Sequence, residues 1–303
     1  MTTRLGISID GGGQLGRIPA QLLQDIEATL RQPLHSVTDM LSGTSSGGII
    51  AILLAADTPA KQVTAFFTNE GPRIFKKQSW FNPLGIFKAQ YSGAVIENIL
   101  ESILTTQTLK DVKTPVVVPA FDIRGHKPFF FKTTAAKWNP EYDYELWEVA
   151  RATSAAQTYF PAFQLNRMTL IDGGNIANNP AACLYAEMKR EWPLDRIRIL
   201  SIGCGNKRSK SNKRAMGNAG NWGAIRNLIT TFDVLFSGGP EVVDYELSIL
   251  MGHDYMRLEP TLIEDVTLDG ATPVYQARLA SEGKHFSEKN LLKALKFIQG
   301  KPL

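Results

Sequence analysis

The sequence has few of the residues on which several classes of protein depend. Two cysteines, Cys183 and Cys204, occur in 303 residues, so a disulfide framework is excluded as the source of stability. The longest fully apolar run, Ile49 to Ala56, is far shorter than the stretch of about 20 residues that a membrane-spanning helix needs. The length and the 44% hydrophobic content are ordinary for a protein that folds around a buried core.

Charge and metal ligands are also sparse. The formal net charge is only +4, which permits attraction to an anionic membrane without demanding it. The basic loop from Asn206 to Arg214 has no aromatic residues among its basic ones, so no nucleic-acid site is predicted. The chain contains four histidines and no coherent spacing of metal ligands, so neither a metal nor a cofactor is expected.

The N-terminal stretch and one aromatic segment bear on location. Met1 to Gly6 leads directly into a strand pattern rather than a signal peptide, so a cytoplasmic protein is expected. The segment from Ile74 to Lys88 interleaves aromatic residues with lysines. This composition suits a lid at a membrane interface, and equally a loop that packs aromatics into the core. A peripheral position at membranes is the corresponding expectation, and the oligomeric state is left open.

Strand and helix patterns alternate along the chain. Strands are predicted at Leu5–Ile9, His35–Met40 and Arg196–Ile202, and Arg17–Leu30 predicts a helix with one apolar face. This alternation favours an α/β fold, with a central, mostly parallel sheet flanked by helices, in a single domain of residues 1–303. Towards the C-terminus, helices are predicted at Ala224–Phe236, Glu241–Met251 and Phe286–Ile298.

A glycine-rich stretch follows the first strand. Gly11, Gly12 and Gly13 allow successive backbone N–H groups to converge on an anion, as in a phosphate cradle or an oxyanion hole. With Gly16 they also satisfy G-x-G-x-x-G, a dinucleotide motif that is weak alone. Asp10 would then place a carboxylate beside the pyrophosphate. A turn that only closes strand onto helix is the third interpretation.

A second motif, Gly43-Thr44-Ser45-Ser46-Gly47, fits the G-x-S-x-G of a nucleophile elbow. A serine on so tight a turn sits in a strained backbone conformation with its hydroxyl exposed. The positions two before and two after must be very small, because a strand and a helix cross there. Ser45 is therefore the predicted nucleophile, and the N–H of Ser46 points at the developing oxyanion.

A third motif, Asp172-Gly173-Gly174, follows the short predicted strand Met168–Ile171. The two glycines let the aspartate approach another loop closely. Burial beside Ser45 would raise the pKa of Asp172 towards its working pH as a base.

Together the three motifs resemble, in order and rough spacing, those of the patatin-like phospholipase family. The resemblance extends from about Leu5 to at least Tyr255 and includes similar stretches at Asn69–Phe75, Phe121–Ile123, Thr153–Pro161 and Leu200–Gly203. It implies a patatin-like three-layer fold. It also implies a lipid acyl hydrolase of the phospholipase A type, which acts on phospholipids or related acyl lipids through a serine–aspartate dyad.

By this resemblance, Ser45 is the nucleophile and Asp172 the base, without a histidine. Gly11, Gly12 and Gly13 supply oxyanion N–H groups. One departure is that Leu15 stands where the family usually has lysine or arginine, and the nearest basic residue is Arg17.

The sequence is also compatible with three other functions. An α/β-hydrolase with a Ser-Asp-His triad could use His253 or His285, although Ser45 comes very early for that topology. A nucleotide-binding or regulatory protein could use the glycine-rich loop. A catalytically dead binding module would keep the fold without turnover.

Overall fold

The computed structural model describes residues 2–78, 88–205, 224–263 and 267–302, with residues 224–237 described as backbone only. Much of the aromatic and basic segment from Ile74 to Lys88 lies outside the described residues, as does the basic loop at 206–214. The membrane contact expected of the aromatic segment therefore remains a prediction from the sequence.

In the described part of the chain, eight strands form one sheet. They are β1 Thr3–Ile9, β2 Met40–Gly43, β3 Val116–Asp122, β4 Lys127–Lys132, β5 Phe163–Leu165, β6 Met168–Asp172, β7 Arg196–Ile202 and β8 Tyr255–Leu258. The order is β5-β6-β3-β2-β1-β7-β8, with β4 also paired to β3. Pairing is parallel from β3 through β2, β1 and β7 to β8, whereas β4 and β6 run antiparallel to β3. The predicted mostly parallel sheet is thus confirmed.

Helices connect these strands and cover the sheet. They are α1 Arg17–Leu30, α2 Leu34–Val37, α3 Ser46–Ala55, α4 Ala60–Asn69, α5 Gly71–Ile74, α6 Gly93–Leu104, α7 Thr133–Trp138, α8 Leu146–Thr153, α9 Gly174–Ala177, α10 Ala181–Glu191, α11 Ala224–Met251 and α12 Pro273–Ile298. Among the described residues, no helix has the length and the apolar character that crossing a bilayer requires.

Side chains along the strands point alternately into two hydrophobic cores, one on each face of the sheet. Ile7 and Leu200 belong to the core formed with α1 and α3. Ile197 belongs to the opposite core, where it packs with Met188 of α10. That helix lies close to β1, because a Cβ on Gly6 would stand only 2.6 Å from Met188 Sδ. Two helical layers with the sheet between them give the expected three-layer arrangement.

The strand predicted at His35–Met40 is wrong in most of its length. The residues from Leu34 to Val37 form the short helix α2, and the strand β2 begins only at Met40. Ser36 Oγ donates to Pro33 O at 2.7 Å, which favours a helical turn at this point. Strand geometry starts where Asp39 N–H donates to Leu5 O at 2.8 Å and aligns the chain with β1. The alternating pattern of the sequence cannot distinguish one helical turn from the start of a strand.

The two helices predicted at Ala224–Phe236 and Glu241–Met251 form one helix, α11, which runs through Pro240. Proline removes one backbone hydrogen bond, and the turns on either side keep their own. The last predicted helix is also longer than expected, since α12 starts at Pro273. Thr272 caps it by accepting a hydrogen bond from Tyr275 N–H at 3.2 Å, and proline is well tolerated in a first helical turn.

The edges of β3 determine where the candidate site lies. Strand β4 pairs with β3 from Val117 to Asp122 and so takes one edge. Strand β2 pairs with β3 at its start, and β6 pairs with it from Ala120 onward. Since a strand has two edges, β2 and β6 share the remaining one. They run in opposite directions, so their carboxyl ends meet near Pro119.

We predict that Gly43→Ala disrupts the fold, whereas Gly239→Ala does not. A Cβ on Gly43 would lie 2.0 Å from Gly47 O, where β2 meets α3. Backbone cannot yield there without separating strand from helix, so a loss of about 3 kcal/mol or more in the free energy of unfolding is expected. Gly239 lies in α11, and no atom of the described residues stands within 4 Å of its added Cβ, so alanine there should stabilise by up to about 1 kcal/mol. Urea unfolding followed by circular dichroism measures both, and equal midpoints for the two variants would contradict the close crossing.

Candidate active site

Ser45 lies in the turn between β2 and α3, with φ 54° and ψ −122°. Residues other than glycine rarely adopt this backbone conformation, and holding one there costs of the order of 1–3 kcal/mol of folding free energy. The neighbouring glycines make the turn possible, since a Cβ on Gly47 would stand 2.3 Å from Ile9 O. This is the strained crossing that the G-x-S-x-G motif predicts.

Asp172 is the last residue of β6, and its surroundings fix it firmly. Its backbone N–H donates to Ala155 O at 3.1 Å, and its Oδ1 accepts from the N–H of Gly174 at 2.7 Å. Gly173 packs against β3 so closely that a Cβ would lie 2.3 Å from Pro119 O. The second carboxyl oxygen, Oδ2, has no hydrogen-bond partner of good geometry among the described residues, and the side chain of Ser45 lies next to the carboxyl.

The carboxyl of Asp172 is completely buried. Burial raises its pKa to about 7, and the N–H of Gly174 and the hydroxyl of Ser45 act in the opposite direction. A carboxylate with a pKa of about 7 is a much better base at neutral pH than an ordinary aspartate. The pair therefore has the proximity and the basicity that transfer of the serine proton requires.

The glycine-rich loop lies against Ser45, since a Cβ on Gly11 would stand 3.3 Å from Ser45 Cβ. Two of its N–H groups are already bonded. Gly11 donates to Asn178 O at 3.1 Å and Gly12 donates to Ser46 Oγ at 3.0 Å. Within the described residues, the N–H groups of Gly13 and Ser46 donate to no protein acceptor. This differs from the expectation that all three glycines offer their N–H groups to an anion.

A later segment rests on the same loop. Gly13 has φ 55°, and a Cβ there would lie 2.3 Å from Leu268 O. The N–H of Gln14 donates to that carbonyl at 2.7 Å. Asp269 is held in turn by Tyr91, whose hydroxyl donates to the carboxylate at 2.6 Å.

Arg257 supplies a positive charge beneath the glycine-rich loop, and the sequence interpretation missed it. It donates to both oxygens of Asp10 at 2.9 and 2.5 Å and also ion-pairs with Glu259. Leu15 is buried in the core instead, and Arg17 donates to a backbone carbonyl of α12 at 2.6 Å. The available signal was an arginine within an otherwise apolar strand, β8.

The four histidines do not lie beside Ser45. His253 precedes β8 and His35 precedes β2, so both lie at the amino ends of strands whose carboxyl ends form the site. His126 and His285 are exposed. The described residues contain no group of three or more His, Cys, Asp or Glu side chains that could hold a metal ion.

Two curated proteins show the relationship over nearly the whole chain. "Probable inactive patatin-like protein 9" of Arabidopsis thaliana is 28% identical over 94% of this chain and 81% of its own length. The "cGAMP-activated phospholipase" of Pseudomonas aeruginosa is 29% identical over 94% of this chain and 88% of its own.

The fold has a counterpart among solved structures, and the family has a sequence model. The crystal structure of VipD from Legionella pneumophila superposes with a TM-score of 0.50 over 96% of this chain and 67% of that one. At 12% identity, this likeness concerns the fold alone. The family model described as patatin-like phospholipase matches residues 7–185, and this range includes Ser45, Asp172 and the glycine-rich loop. The resemblance inferred from the motifs is thereby confirmed, and the chain belongs to the patatin-like phospholipase family.

Proposed function

We propose that the protein is a lipid acyl hydrolase of the phospholipase A type, which cleaves fatty acyl esters of phospholipids at a membrane surface. The observation that carries the proposal is the buried carboxyl of Asp172 beside Ser45 in its strained turn, with a pKa of about 7. Membership of a phospholipase family supports a lipid substrate.

In the proposed acylation step, Ser45 Oγ attacks the ester carbonyl carbon and its proton passes to Asp172. The tetrahedral oxyanion accepts hydrogen bonds from the N–H of Ser46 and of Gly13. Gly11 and Gly12 shape the loop through their own bonds. Collapse of the intermediate expels the lysolipid alkoxide, which takes the proton from Asp172, and the acyl group remains on Ser45.

In the proposed deacylation step, a water molecule attacks the acyl-enzyme and gives a proton to Asp172. The second tetrahedral intermediate uses the same two N–H donors. The fatty acid leaves, and Ser45 regains the proton that Asp172 holds. The chain's own residues supply every proton transfer in this scheme.

The rival functions have less support. A Ser-Asp-His triad requires a histidine next to Asp172, and all four histidines lie elsewhere. A nucleotide site on the glycine-rich loop would need several free N–H groups, and those of Gly11 and Gly12 are bonded within the protein. One relative carries the word "inactive" in its name, so family membership alone does not decide turnover. The adjacent side chains of Ser45 and Asp172 favour an active enzyme.

We predict that a fluorophosphonate probe labels Ser45 and no other serine. Ser45→Ala should abolish both labelling and phospholipid hydrolysis without unfolding the protein. Ser46→Ala tests the alternative nucleophile. It keeps the Ser46 N–H but removes the acceptor of the Gly12 N–H, so it should be less active than wild type while the probe still labels Ser45. Peptide mass mapping locates the adduct, and mixed phospholipid vesicles measure turnover. The assay is run with and without cGAMP because one relative is named as cGAMP-activated.

An adduct on Ser46 would rule out the assigned nucleophile. The histidine variants His253→Asn and His285→Asn should keep activity within about tenfold of wild type, alone or combined, because neither contacts the dyad. If either were as inactive as Ser45→Ala while still folded, the triad would replace the dyad.

We predict that activity rises with pH through about 7, because Asp172 must be deprotonated to act as base and burial raises its pKa to about 7. Below that pH, kcat/KM should fall by about tenfold per unit. Asp172→Asn should lose nearly all activity. Asp122→Asn, which also replaces a buried aspartate near an end of β3, is the control and should stay active. An unchanged profile down to pH 5 would contradict the assignment of the base.

The same raised pKa predicts a stability effect of Asp172→Asn. Between about pH 4 and pH 7 the folded protein holds a proton on Asp172 that the unfolded chain releases, so rising pH destabilises the fold across this window. The penalty is complete above pH 7 and amounts to roughly 4 kcal/mol at most. The melting temperature of Asp172→Asn minus that of wild type should therefore increase as pH rises from 4 to 8. A constant difference between the two proteins would show that the folded-state pKa is ordinary.

A further inference from the structure

Thr153, the last residue of α8, fills the place where β2 and β6 meet. It is completely buried. The odd-numbered backbone groups of β3 face the edge that these two strands share. Pro115 O accepts from the N–H of Leu41 in β2 at 2.9 Å, and the N–H of Ile123 donates to Thr169 O in β6 at 2.9 Å. Between the two pairings, the carbonyl of Pro119 faces the gap.

The hydroxyl of Thr153 satisfies both polar groups in that gap. It donates to Pro119 O at 2.7 Å and accepts from the backbone N–H of Ser45 at 3.1 Å. One hydroxyl has a single proton and two lone pairs, so it can make both bonds at once. Proline has no N–H, so the carbonyl of Pro119 is the only backbone group of this residue that needs a hydrogen-bond partner in the gap.

The backbone next to this hydroxyl holds the other half of the site. Thr153 O accepts from the N–H of Gly173 at 3.3 Å, and Ala155 O accepts from the N–H of Asp172 at 3.1 Å. The turn at the end of α8 therefore binds the nucleophile through a side chain and the base through its carbonyls.

We infer that Thr153 is a positioning residue that holds Ser45 in its strained conformation and in register with Asp172. The inference rests on the proposed function. Without the hydroxyl, Ser45 N–H and Pro119 O would be buried without a partner. The Ser45 turn could then relax away from φ 54°, which swings Oγ off the carboxyl of Asp172. A displacement of about 1 Å at a reacting group can cost about a hundredfold in rate.

The test compares Thr153→Val and Thr153→Ser with Thr133→Val. Valine keeps the shape of threonine and removes the hydroxyl, whereas serine keeps the hydroxyl. Thr133 is the matched control, because it too is completely buried and its hydroxyl accepts a backbone N–H, that of Val116, at 3.0 Å at the other end of β3. The kcat and KM for phospholipid vesicles, the rate of fluorophosphonate labelling and the melting temperature are measured for each, well below the melting temperature.

Thr153→Val should lower kcat and the labelling rate by about a hundredfold and leave KM within about threefold of wild type. Thr153→Ser should stay within about threefold of wild type in all three quantities. Thr133→Val should have a lower melting temperature than wild type and an unchanged kcat. If Thr153→Val does not fold, Thr153→Cys replaces it. Its thiol is a weak donor and acceptor of similar size to the serine hydroxyl, so loss of kcat in Cys but not in Ser supports the inference.

Equal kcat for folded Thr153→Val and Thr133→Val would overturn the inference. So would a loss in Thr153→Ser as large as that in Thr153→Val, since the methyl group that packs against Gly48 would then be the important one. Wild-type protein that is neither labelled nor active, with or without cGAMP, would overturn the proposed function itself and the inference with it. Labelled wild type with normal Thr153→Val overturns the inference alone.

Discussion

The two edges of β3 and the strands that occupy them determine where the candidate site forms. One edge is taken by β4, and the other is divided between β2 and β6, which arrive from opposite directions. Their carboxyl ends therefore face each other, and each leads into one of the two motifs, Gly43–Gly47 at the end of β2 and Asp172–Gly174 at the end of β6. Ser45 and Asp172 come together because of this shared edge.

The candidate site is assembled from groups each of which, taken alone, lowers the stability of the folded state. The positive φ of Ser45 and the buried carboxyl of Asp172 both destabilise the folded chain. Hydrogen bonds and an ion pair around them keep the arrangement in place. The N–H of Gly174 binds the carboxyl, the hydroxyl of Thr153 binds the serine N–H, and Arg257 neutralises Asp10 beneath the glycine-rich loop. The local strain is tolerable because the surrounding sheet and helices overdetermine the geometry.

The parts of the fold that the sequence predicts well are those that depend on near neighbours. The helix at Arg17–Leu30 and the strand at Arg196–Ile202 have the predicted bounds, because their periodic patterns are long. The crossing at Gly43 was predictable because the need for glycine is a local steric one. The contributions of Thr153 and Arg257 were not, since each acts on a residue far away in the sequence. Which glycine N–H groups stay free likewise depends on acceptors brought by other loops.

The packing of α12 on α1 joins two helices that are synthesised far apart in time. Ser287 of α12 donates to Asp25 of α1 at 2.6 Å, and Arg17 bonds to the start of the same helix. Ser45 leaves the ribosome long before Asp172, and α12 leaves after both. Long-range contacts of this kind form only when both partners are available. A nascent chain therefore carries Ser45 before Asp172 and α12 are available, so the pairing of the two side chains and the packing of α12 on α1 both form late relative to the synthesis of the Ser45 turn.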